Sequence, residues 1–294
     1  MTDVIAWACL NGELMPADAA RVPIWDRGFL FGDAVYEVFR LTRGRLWLED
    51  LHFARLERSL GEMLFEPVDL DRLRGRIEAT IGAGGVVEGT VYVQLTRGVA
   101  PRLHAFPRPP VVPTEVIVVR PYDDGPTRLR RERGVGVISL PDERWGRCDV
   151  KSTNLLANVI ANERAQRAGC YEAVLFDRDG FVTEATHSSV IWVRGGRLEA
   201  TAEGRLILPG TTRRFVERLA DDAGVNFAAA RITLEDLRGV DELMLLGTTI
   251  EVMPVTTLDG APVGSATPGP VATRLQRAHD VAVERWAAGT AAGV

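Results

Sequence analysis

One lysine stands out among the residues whose side chains can do covalent chemistry. The 294-residue chain contains 35 lysines and arginines, and Lys151 is its single lysine. An arginine stays protonated, whereas a lysine can lose its proton and form a Schiff base. A lysine kept in so arginine-rich a chain therefore suggests a position that arginine cannot fill. Chance retention is the alternative, and the neighbouring residues must decide.

The residues after Lys151 predict the start of a helix. Ser152, Thr153 and Asn154 each have a side chain suited to cap a helix N-terminus. The positive end of a helix dipole disfavours a protonated amine, so this placement lowers the pKa of a lysine. An amine that forms a Schiff base needs a lowered pKa, and a structural cation does not. The neighbourhood therefore favours a catalytic role for Lys151.

Three other segments have side chains suited to binding anions. Residues 207–213 (ILPGTTR) place a turn and two threonines at a predicted helix start, where backbone N–H groups bind phosphate. The segment 247–249 (GTT) ends a strand and is similar, although an ordinary capped turn explains either segment equally well. In extended chain, Arg102 and His104 project from one face and could hold a carboxylate. A solvated loop arginine beside a packed histidine is the alternative.

Strand and helix patterns in the first part of the chain must position these residues. Asn11-Gly12 and Arg43-Gly44 are typical of hairpin turns. Apolar spacing predicts helices over 49–65 and 70–81, and the glycines that follow at 82–85 indicate a helix end rather than a phosphate loop.

Turn-forming residues at 121–126 (PYDDGP) predict a linker. Beyond it, the patterns predict strands at 135–140, 171–176, 181–183, 190–193, 242–246 and 251–255, and helices at 155–168, 211–223 and 271–286. The sequence therefore predicts an α+β protein with a smaller domain over 1–120 and a larger one over 127–294.

Composition excludes several classes of protein. The net charge is -5 and charged residues make up 26% of the chain, so a nucleic-acid partner is not expected. No apolar run is long enough for a membrane span, and the N-terminal residues do not resemble a signal peptide. Three widely spaced cysteines, Cys9, Cys148 and Cys170, indicate neither a disulfide framework nor a zinc site. We expect a cytoplasmic protein.

Six segments together resemble the class IV, fold-type IV pyridoxal-phosphate aminotransferases. In order they are 25–37 (WDRGFLFGDAVYE), 52–56 (HFARL), 150–159 (VKSTNLLANV), 171–184 (YEAVLFDRDGFVTE), 206–213 (LILPGTTR) and 247–255 (GTTIEVMPV). The resemblance extends from about residue 8 to residue 260. It implies a fold-type IV architecture of two domains, with the active site at the domain boundary and pyridoxal 5'-phosphate as cofactor.

The resemblance assigns roles to individual residues. It makes Lys151 the lysine that binds the cofactor as a Schiff base and moves the proton, and Glu184 the carboxylate that binds the pyridine nitrogen. Further cofactor contacts are implied at Arg55, Leu208, Thr211, Thr212 and Thr248. Tyr36 is expected beside the Schiff base and the substrate, and Thr249 beside the substrate. A pair between Glu37 and Arg144 is expected to orient Tyr36 and Lys151.

Arg102 and His104 resemble the carboxylate-binding pair of D-amino acid aminotransferases. They favour transamination between a D-amino acid of the alanine or glutamate type and 2-oxoglutarate or pyruvate, with side activity on (R)-primary amines. The chain departs from the family at residues 186–189 (THSS), where an SSN-like run is common, and at Gly247, where a serine is common. These departures bear on side-chain preference and cofactor affinity.

Three alternatives stay open. One is a lyase that releases pyruvate from aminodeoxychorismate, and another is a branched-chain L-amino acid aminotransferase, which Arg102 and His104 disfavour. The third is a pyridoxal-phosphate carrier without catalysis. The resemblance also implies a homodimer, in which the Arg102–His104 loop reaches the partner's site.

Overall fold

The computed structural model describes residues 6–222 and 224–289. It divides the chain into two compact units, each built from a sheet and helices. This is the α+β architecture that the sequence predicts.

The first unit runs to Asp123 and also takes in Val150–Asn154, while the surrounding chain belongs to the second unit. The division lies inside the predicted linker at 121–126. The predicted second domain, 127–294, included residues 150–154. No local sequence pattern indicates that these five residues pack with the first unit. The segment with Lys151 therefore belongs to the N-terminal unit.

An antiparallel sheet of six strands forms the first unit. In chain order they are β1 (Trp7–Leu10), β2 (Glu13–Pro16), β3 (Ala34–Thr42), β4 (Arg45–Leu46), β5 (Gly89–Thr96) and β6 (Thr114–Pro121). They lie in the order β2-β1-β6-β5-β3-β4. The two predicted hairpin turns join β1 to β2 and β3 to β4, which confirms both of them.

Three helices accompany this sheet: α1 (Arg27–Phe31), α2 (Glu49–Glu62) and α3 (Leu70–Gly84). The apolar faces of α2 and α3 cover the sheet, and Leu56 and Ile77 are buried there with Phe39 of β3. Gly85 ends α3 in the left-handed conformation (φ 60°), as the glycine cluster predicted. The short helix α1 had no periodic pattern and was not predicted.

The predicted linker proves to be the junction of two regular elements. Strand β6 continues to Pro121, and helix α4 (Gly125–Arg133) begins four residues later. Proline is favoured in the first turn of a helix, where a missing N–H costs nothing. The turn-forming residues at 121–126 therefore end a strand and start a helix, and the connection is shorter than predicted.

A mixed sheet of nine strands forms the second unit. In chain order they are β7 (Val135–Pro141), β8 (Glu172–Phe176), β9 (Val182–Ala185), β10 (Ser189–Arg194), β11 (Arg197–Ala200), β12 (Phe227–Ala229), β13 (Glu242–Gly247), β14 (Glu251–Leu258) and β15 (Ala261–Pro262). The order is β12-β11-β10-β13-β14-β7-β8-β9, and β15 pairs with β14. Strand β7 runs parallel to β8 and β14.

Both faces of this sheet are buried. Along β10, Trp192 belongs to one apolar cluster, and its neighbours Ile191 and Val193 belong to another. Adjacent residues of a strand point to opposite faces, so the two clusters lie on the two sides of the sheet. The accompanying helices are α5 (Leu156–Arg167), α6 (Thr211–Asp222), α7 (Leu234–Leu237) and α8 (Pro270–Ala287). No helix of the described residues has the length and apolarity needed to cross a bilayer.

Candidate active site

Lys151 lies alongside strand β3. The Tyr36 amide donates a hydrogen bond to the Lys151 carbonyl (2.9 Å), and the Thr153 amide donates to the carbonyl of Ala34 (3.1 Å). The Lys151 ammonium nitrogen lies 4.3 Å from the centre of the Tyr36 ring. The structure therefore brings together the two residues that the sequence placed at the reacting centre.

The helix that follows begins one residue after its predicted start, but none of the three predicted capping residues, Ser152, Thr153 and Asn154, occupies the N-cap position. Helix α5 starts at Leu156, and Leu155 occupies the N-cap position without a side-chain cap. The effect of a helix dipole is confined to the first turn. The predicted effect of the helix dipole on Lys151 stays a prediction. The structure distinguishes the lysine by its position beside Tyr36.

Glu37 forms the centre of a buried ionic network on the opposite face of β3 from Tyr36. Its carboxylate accepts hydrogen bonds from Nε and Nη2 of Arg55, each at 2.8 Å, and lies 2.7 Å from His52 Nδ1. All three side chains are buried. Arg55, the predicted phosphate ligand, is thus held by Glu37, and its phosphate contact stays a prediction.

The protonation of this network is set by its charges. Burial favours the neutral acid at Glu37, but the charge and hydrogen bonds of Arg55 outweigh burial and lower its pKa to about 2. Burial also lowers the pKa of His52, against the opposing pull of Glu37. At neutral pH the network therefore contains a carboxylate, a guanidinium and a neutral imidazole.

A second network surrounds Glu184 on strand β9. Arg144 donates from Nη1 to Glu184 (2.6 Å) and from Nε and Nη2 to Asp142 (3.0 and 2.8 Å). The Leu208 amide lies 3.2 Å from the Glu184 carboxylate. The expected pair between Glu37 and Arg144 is therefore wrong, because each residue finds its partner inside its own unit.

This arrangement suits a carboxylate that must stay anionic. Arg144 keeps its positive charge beside Glu184, since burial is outweighed by the two carboxylates and its pKa is raised further. Asp142 has a lowered pKa, because its hydrogen bonds from Arg144 and Thr183 overcome the effect of burial. Burial raises the pKa of the nearby Cys148 thiol to about 11, so this cysteine is a neutral thiol.

The predicted phosphate ligands occupy two turns of the second unit. Thr211 and Thr212 begin helix α6 and are buried, which places backbone N–H groups and hydroxyls at a helix N-terminus. Thr248 and Thr249 lie in the turn between β13 and β14 and are partly buried. Phosphate binding by both segments stays a prediction.

Glu172 holds a third turn of the second unit and was not among the site residues predicted from the sequence. Its fully buried carboxylate accepts hydrogen bonds from the His187 and Ser188 amides (2.7 and 3.1 Å) and from the Thr186 and Ser188 hydroxyls (3.0 and 2.8 Å). A charged residue inside the apolar pattern of 171–176 was the available signal. Glu172 thus fixes the chain that departs from the family pattern at 186–189.

That turn contacts both predicted phosphate segments. A Cβ atom at Gly210 would lie 2.7 Å from the Ser189 hydroxyl, so the hydroxyl packs on the backbone just before helix α6. A Cβ atom at Gly247 would lie 3.8 Å from the Ser188 hydroxyl. The serine hydroxyls of this turn therefore stand beside the glycines that precede Thr211 and Thr248.

Arg102 and His104 lie in an exposed loop of the first unit. The Arg102 guanidinium is 5.2 Å from the centre of the Phe31 ring, and the His104 ring centre is 5.7 Å from the same ring. The structure thus brings the two predicted carboxylate ligands to one aromatic side chain. Their role in substrate binding stays a prediction.

The donor set fits pyridoxal phosphate. Lys151 supplies the only lysine amine of the chain, in the first unit. In the second unit, Glu184 supplies a buried carboxylate beside a fixed guanidinium, and two buried threonines begin helix α6, where backbone N–H groups could bind a phosphate. An amine, a carboxylate for a ring nitrogen and a phosphate cradle are the groups that this cofactor requires.

Comparisons with known proteins agree with this reading. Residues 34–258 match the family described as amino-transferase class IV. The chain is 36% identical to the D-alanine aminotransferase of Staphylococcus epidermidis over 272 residues, which cover 92% of this chain and 95% of that protein. It is 38% identical to the Bacillus licheniformis D-alanine aminotransferase over 275 residues, covering 91% and 94%.

Among solved structures, the branched-chain amino acid aminotransferase of Escherichia coli matches with a TM-score of 0.86 and 22% identity, covering 94% of each chain. That likeness establishes the fold. The chain belongs to the class IV aminotransferase family. It is a pyridoxal-phosphate-dependent aminotransferase.

The buried Glu37 carboxylate should make stability depend on pH. Its pKa lies at about 2 in the folded protein against an ordinary 4.5, which corresponds to on the order of 3 kcal/mol. Because the pKa is lowered, the ionised Glu37 carboxylate stabilises the fold at pH values above 4.5, and this stabilisation is lost as the pH falls towards 2. In apo protein, Glu37→Gln should therefore lower the free energy of unfolding at pH 7, and the difference from wild type should shrink between pH 4.5 and 2.

Denaturant unfolding at several pH values measures this difference. Glu57→Gln is the control, because Glu57 is an exposed glutamate on helix α2, the helix that carries His52 and Arg55. A Glu37→Gln effect as large at pH 3 as at pH 7 would contradict the assignment.

Proposed function

We propose that the enzyme transfers the amino group between a D-amino acid such as D-alanine and a 2-oxo acid such as 2-oxoglutarate or pyruvate. The observation that carries this substrate class is the similarity over more than nine-tenths of the chain to enzymes named as D-alanine aminotransferases. The placement of Arg102 and His104 beside one aromatic ring supports it, since a guanidinium fork with a neighbouring donor suits an α-carboxylate. Activity on (R)-primary amines is a side reaction of the same site.

Each residue then has a defined task. Pyridoxal phosphate, when bound, supplies an electron-accepting ring that stabilises negative charge at the substrate's α-carbon. The Lys151 amine holds the cofactor and moves the proton from that carbon. The Glu184 carboxylate holds a proton on the ring nitrogen, and Thr211, Thr212 and Thr248 bind the phosphate. Arg102 binds the substrate carboxylate, and Tyr36 orients the Lys151 amine.

A substrate panel tests the proposal and its alternatives. Turnover is measured with both enantiomers of alanine, glutamate and leucine and 2-oxoglutarate as acceptor. We expect D-alanine and D-glutamate to react and L-leucine to stay inert. Preference for L-leucine would instead establish a branched-chain L-aminotransferase. Release of aminobenzoate from aminodeoxychorismate would establish the lyase, and no turnover with either enantiomer in this panel would contradict the proposed substrates. A cytoplasmic site of action is part of the proposal.

Lys151 should be indispensable for both cofactor attachment and turnover. Lys151→Ala removes the amine and should abolish the visible absorbance of the lysine-bound cofactor together with transamination. Lys151→Arg should be nearly as inactive, because a guanidinium stays protonated and forms no Schiff base. Absorbance spectra and steady-state assays check both variants. Turnover close to wild type in either one would remove Lys151 from the mechanism.

Arg102 should matter only for substrates that have a carboxylate. Removing one partner of a charge-assisted pair in a partly desolvated pocket costs about 2–5 kcal/mol. Arg102→Ala should therefore lower kcat/KM for D-alanine by roughly 30-fold to several thousand-fold, since each ~1.4 kcal/mol is a factor of ten. An (R)-amine makes no such contact and should react at nearly the same rate as before.

His104→Ala should show the same pattern in weaker form, because a histidine supplies one donor instead of a fork. Kinetics with D-alanine and (R)-1-phenylethylamine on folded variants separate binding from misfolding. Equal losses for both substrates, or no loss for D-alanine, would exclude Arg102 from the substrate site.

We also propose that the enzyme is a homodimer that covers an apolar patch of the first unit. Large apolar side chains are exposed on two stretches, 22–30 and 99–112, among them Phe29 (74% exposed), Leu103 (65%) and Val112 (85%). The stretches are joined by a hydrogen bond from the Ala100 amide to the Trp25 carbonyl (3.2 Å). A concentration of exposed apolar side chains on two hydrogen-bonded stretches is typical of an interface.

Light scattering should give twice the chain mass of 32.2 kDa for the active enzyme. Phe29→Glu places a charge in the patch and should shift the mass towards one chain. Val87→Glu is the control, because Val87 is exposed on the first unit outside these stretches. An active enzyme with the mass of one chain would contradict the dimer.

A further inference from the structure

Two arginines share one carboxylate in the first unit. Asp33 accepts a hydrogen bond from Arg27 Nε (2.8 Å) and two from Arg97 Nε (3.0 and 2.9 Å). The exposed fractions are only 3%, 8% and 7% for Arg27, Arg97 and Asp33. A buried guanidinium needs acceptors for all its N–H groups, so the N–H groups that do not bind Asp33 need other acceptors.

The two arginines direct their other donors to different parts of the chain. Arg27 Nη1 donates to the carbonyls of Leu103 (2.7 Å) and Ala105 (3.3 Å), which lie on either side of His104. Arg97 donates to the carbonyls of Met63 (2.5 Å) and Leu64 (3.0 Å) after helix α2. Arg27 is therefore the arginine that holds the loop backbone around His104.

Arg27 also supports the ring on which the two substrate ligands lie. Its guanidinium carbon is 4.9 Å from the centre of the Phe31 ring, the same ring that Arg102 and His104 approach. Arg27 and Phe31 are the first and last residues of helix α1. This one-turn helix thus contacts the loop through both its charged and its aromatic end.

The loop has little other support from the backbone. Among the described residues, only one backbone–backbone hydrogen bond involves residues 101–113. It runs from the Leu103 amide to the Pro101 carbonyl. Hydrogen bonds from a charged donor are stronger than neutral ones, and those of a buried arginine are not exchanged for water. The position of His104 along the loop is consequently set by Arg27.

We propose that Arg27 is a positioning residue for the substrate carboxylate, acting through the Leu103 and Ala105 carbonyls on the Arg102–His104 pair. The inference rests on the proposed function. A displacement of about 1 Å in a group that positions the substrate lowers the rate on the order of 100-fold. The loss of the hydrogen bonds from Arg27 to the two carbonyls should therefore slow the reaction of substrates with a carboxylate, but not that of amines without one.

The test compares Arg27→Lys with the matched control Arg97→Lys. Both variants keep the charge, and both remove an Nε donor from Asp33. Only Arg27→Lys removes hydrogen bonds to the loop carbonyls, because Arg97 contacts the loop only through the Phe106 ring, whose centre is 3.7 Å from its guanidinium carbon. Hydrogen–deuterium exchange of the holoenzyme reports the order of the peptide that covers 101–106. Kinetics with D-alanine and (R)-1-phenylethylamine report the substrate site.

We expect faster exchange at 101–106 in Arg27→Lys and a smaller change in Arg97→Lys, which keeps the loop hydrogen bonds and loses only the contact with Phe106. For Arg27→Lys, kcat/KM for D-alanine should fall by about 10-fold to 100-fold, mainly through KM, while the amine changes less than about twofold. Arg97→Lys should leave the ratio of kcat/KM for D-alanine to kcat/KM for the amine unchanged. If Arg27→Lys does not fold, Arg27→Gln replaces it, because Asp33 then keeps Arg97 as a single counter-charge.

Three results would overturn the inference: unchanged exchange at 101–106, equal losses for acid and amine, or the same acid-selective loss in Arg97→Lys. The proposed function has separate indicators. If wild-type enzyme does not transaminate D-alanine, or if Arg102→Ala leaves the ratio of acid to amine unchanged, the proposed function is wrong and the kinetic role of Arg27 is wrong with it. If both hold and Arg27→Lys behaves as wild type, only the inference is wrong.

Discussion

The hydrogen bond from the Tyr36 amide to the Lys151 carbonyl is the contact on which the candidate site depends. Lys151 has the only lysine amine in the chain, and this bond fixes the short segment that carries it alongside strand β3. Successive residues of β3 point to opposite faces of the sheet, and this alternation determines where the neighbouring side chains lie. Tyr36 is thereby placed next to the amine, while Glu37 is placed in the interior with Arg55 and His52.

Buried carboxylates organise the surroundings of the predicted ligands. Glu37 holds Arg55, Asp33 holds Arg27 and Arg97, and Glu184 is held by Arg144. A charge removed from water persists only where partners compensate for it, and those partners lock local geometry. In an arginine-rich chain the partner is a planar fork with several donors, so one guanidinium can link a carboxylate to a loop carbonyl. The shape of each site segment is therefore determined mainly by ionic contacts, and the apolar cores supply the sheets on which they are built.

Local patterns in the sequence predicted the hairpins, helices α2 and α3, and the segments that contain Thr211 and Thr248, while the family resemblance placed Tyr36 beside Lys151. They did not predict contacts formed by residues distant in sequence. Three features follow from tertiary packing and produce no periodic pattern in the sequence. They are the return of 150–154 to the first unit, the partners of Glu37 and the contacts of Glu172. One signal was available at Glu37, since His52 and Arg55 are three residues apart and share a face of helix α2. Helix α1 was missed because five residues are too few for a period to show.

Reductive trapping tests the central claim, which is that the Lys151 amine holds the cofactor and that this bond is exchanged for a D-amino acid. Holoenzyme is treated with borohydride, which makes the lysine–cofactor bond permanent, and the label is located by peptide mass spectrometry. The account predicts one label per chain, on Lys151. Prior incubation with D-alanine should prevent labelling, because amino transfer releases the cofactor from the lysine, whereas L-alanine should leave the label in place. A label on another residue, or loss of the label with L-alanine but not with D-alanine, would contradict the account.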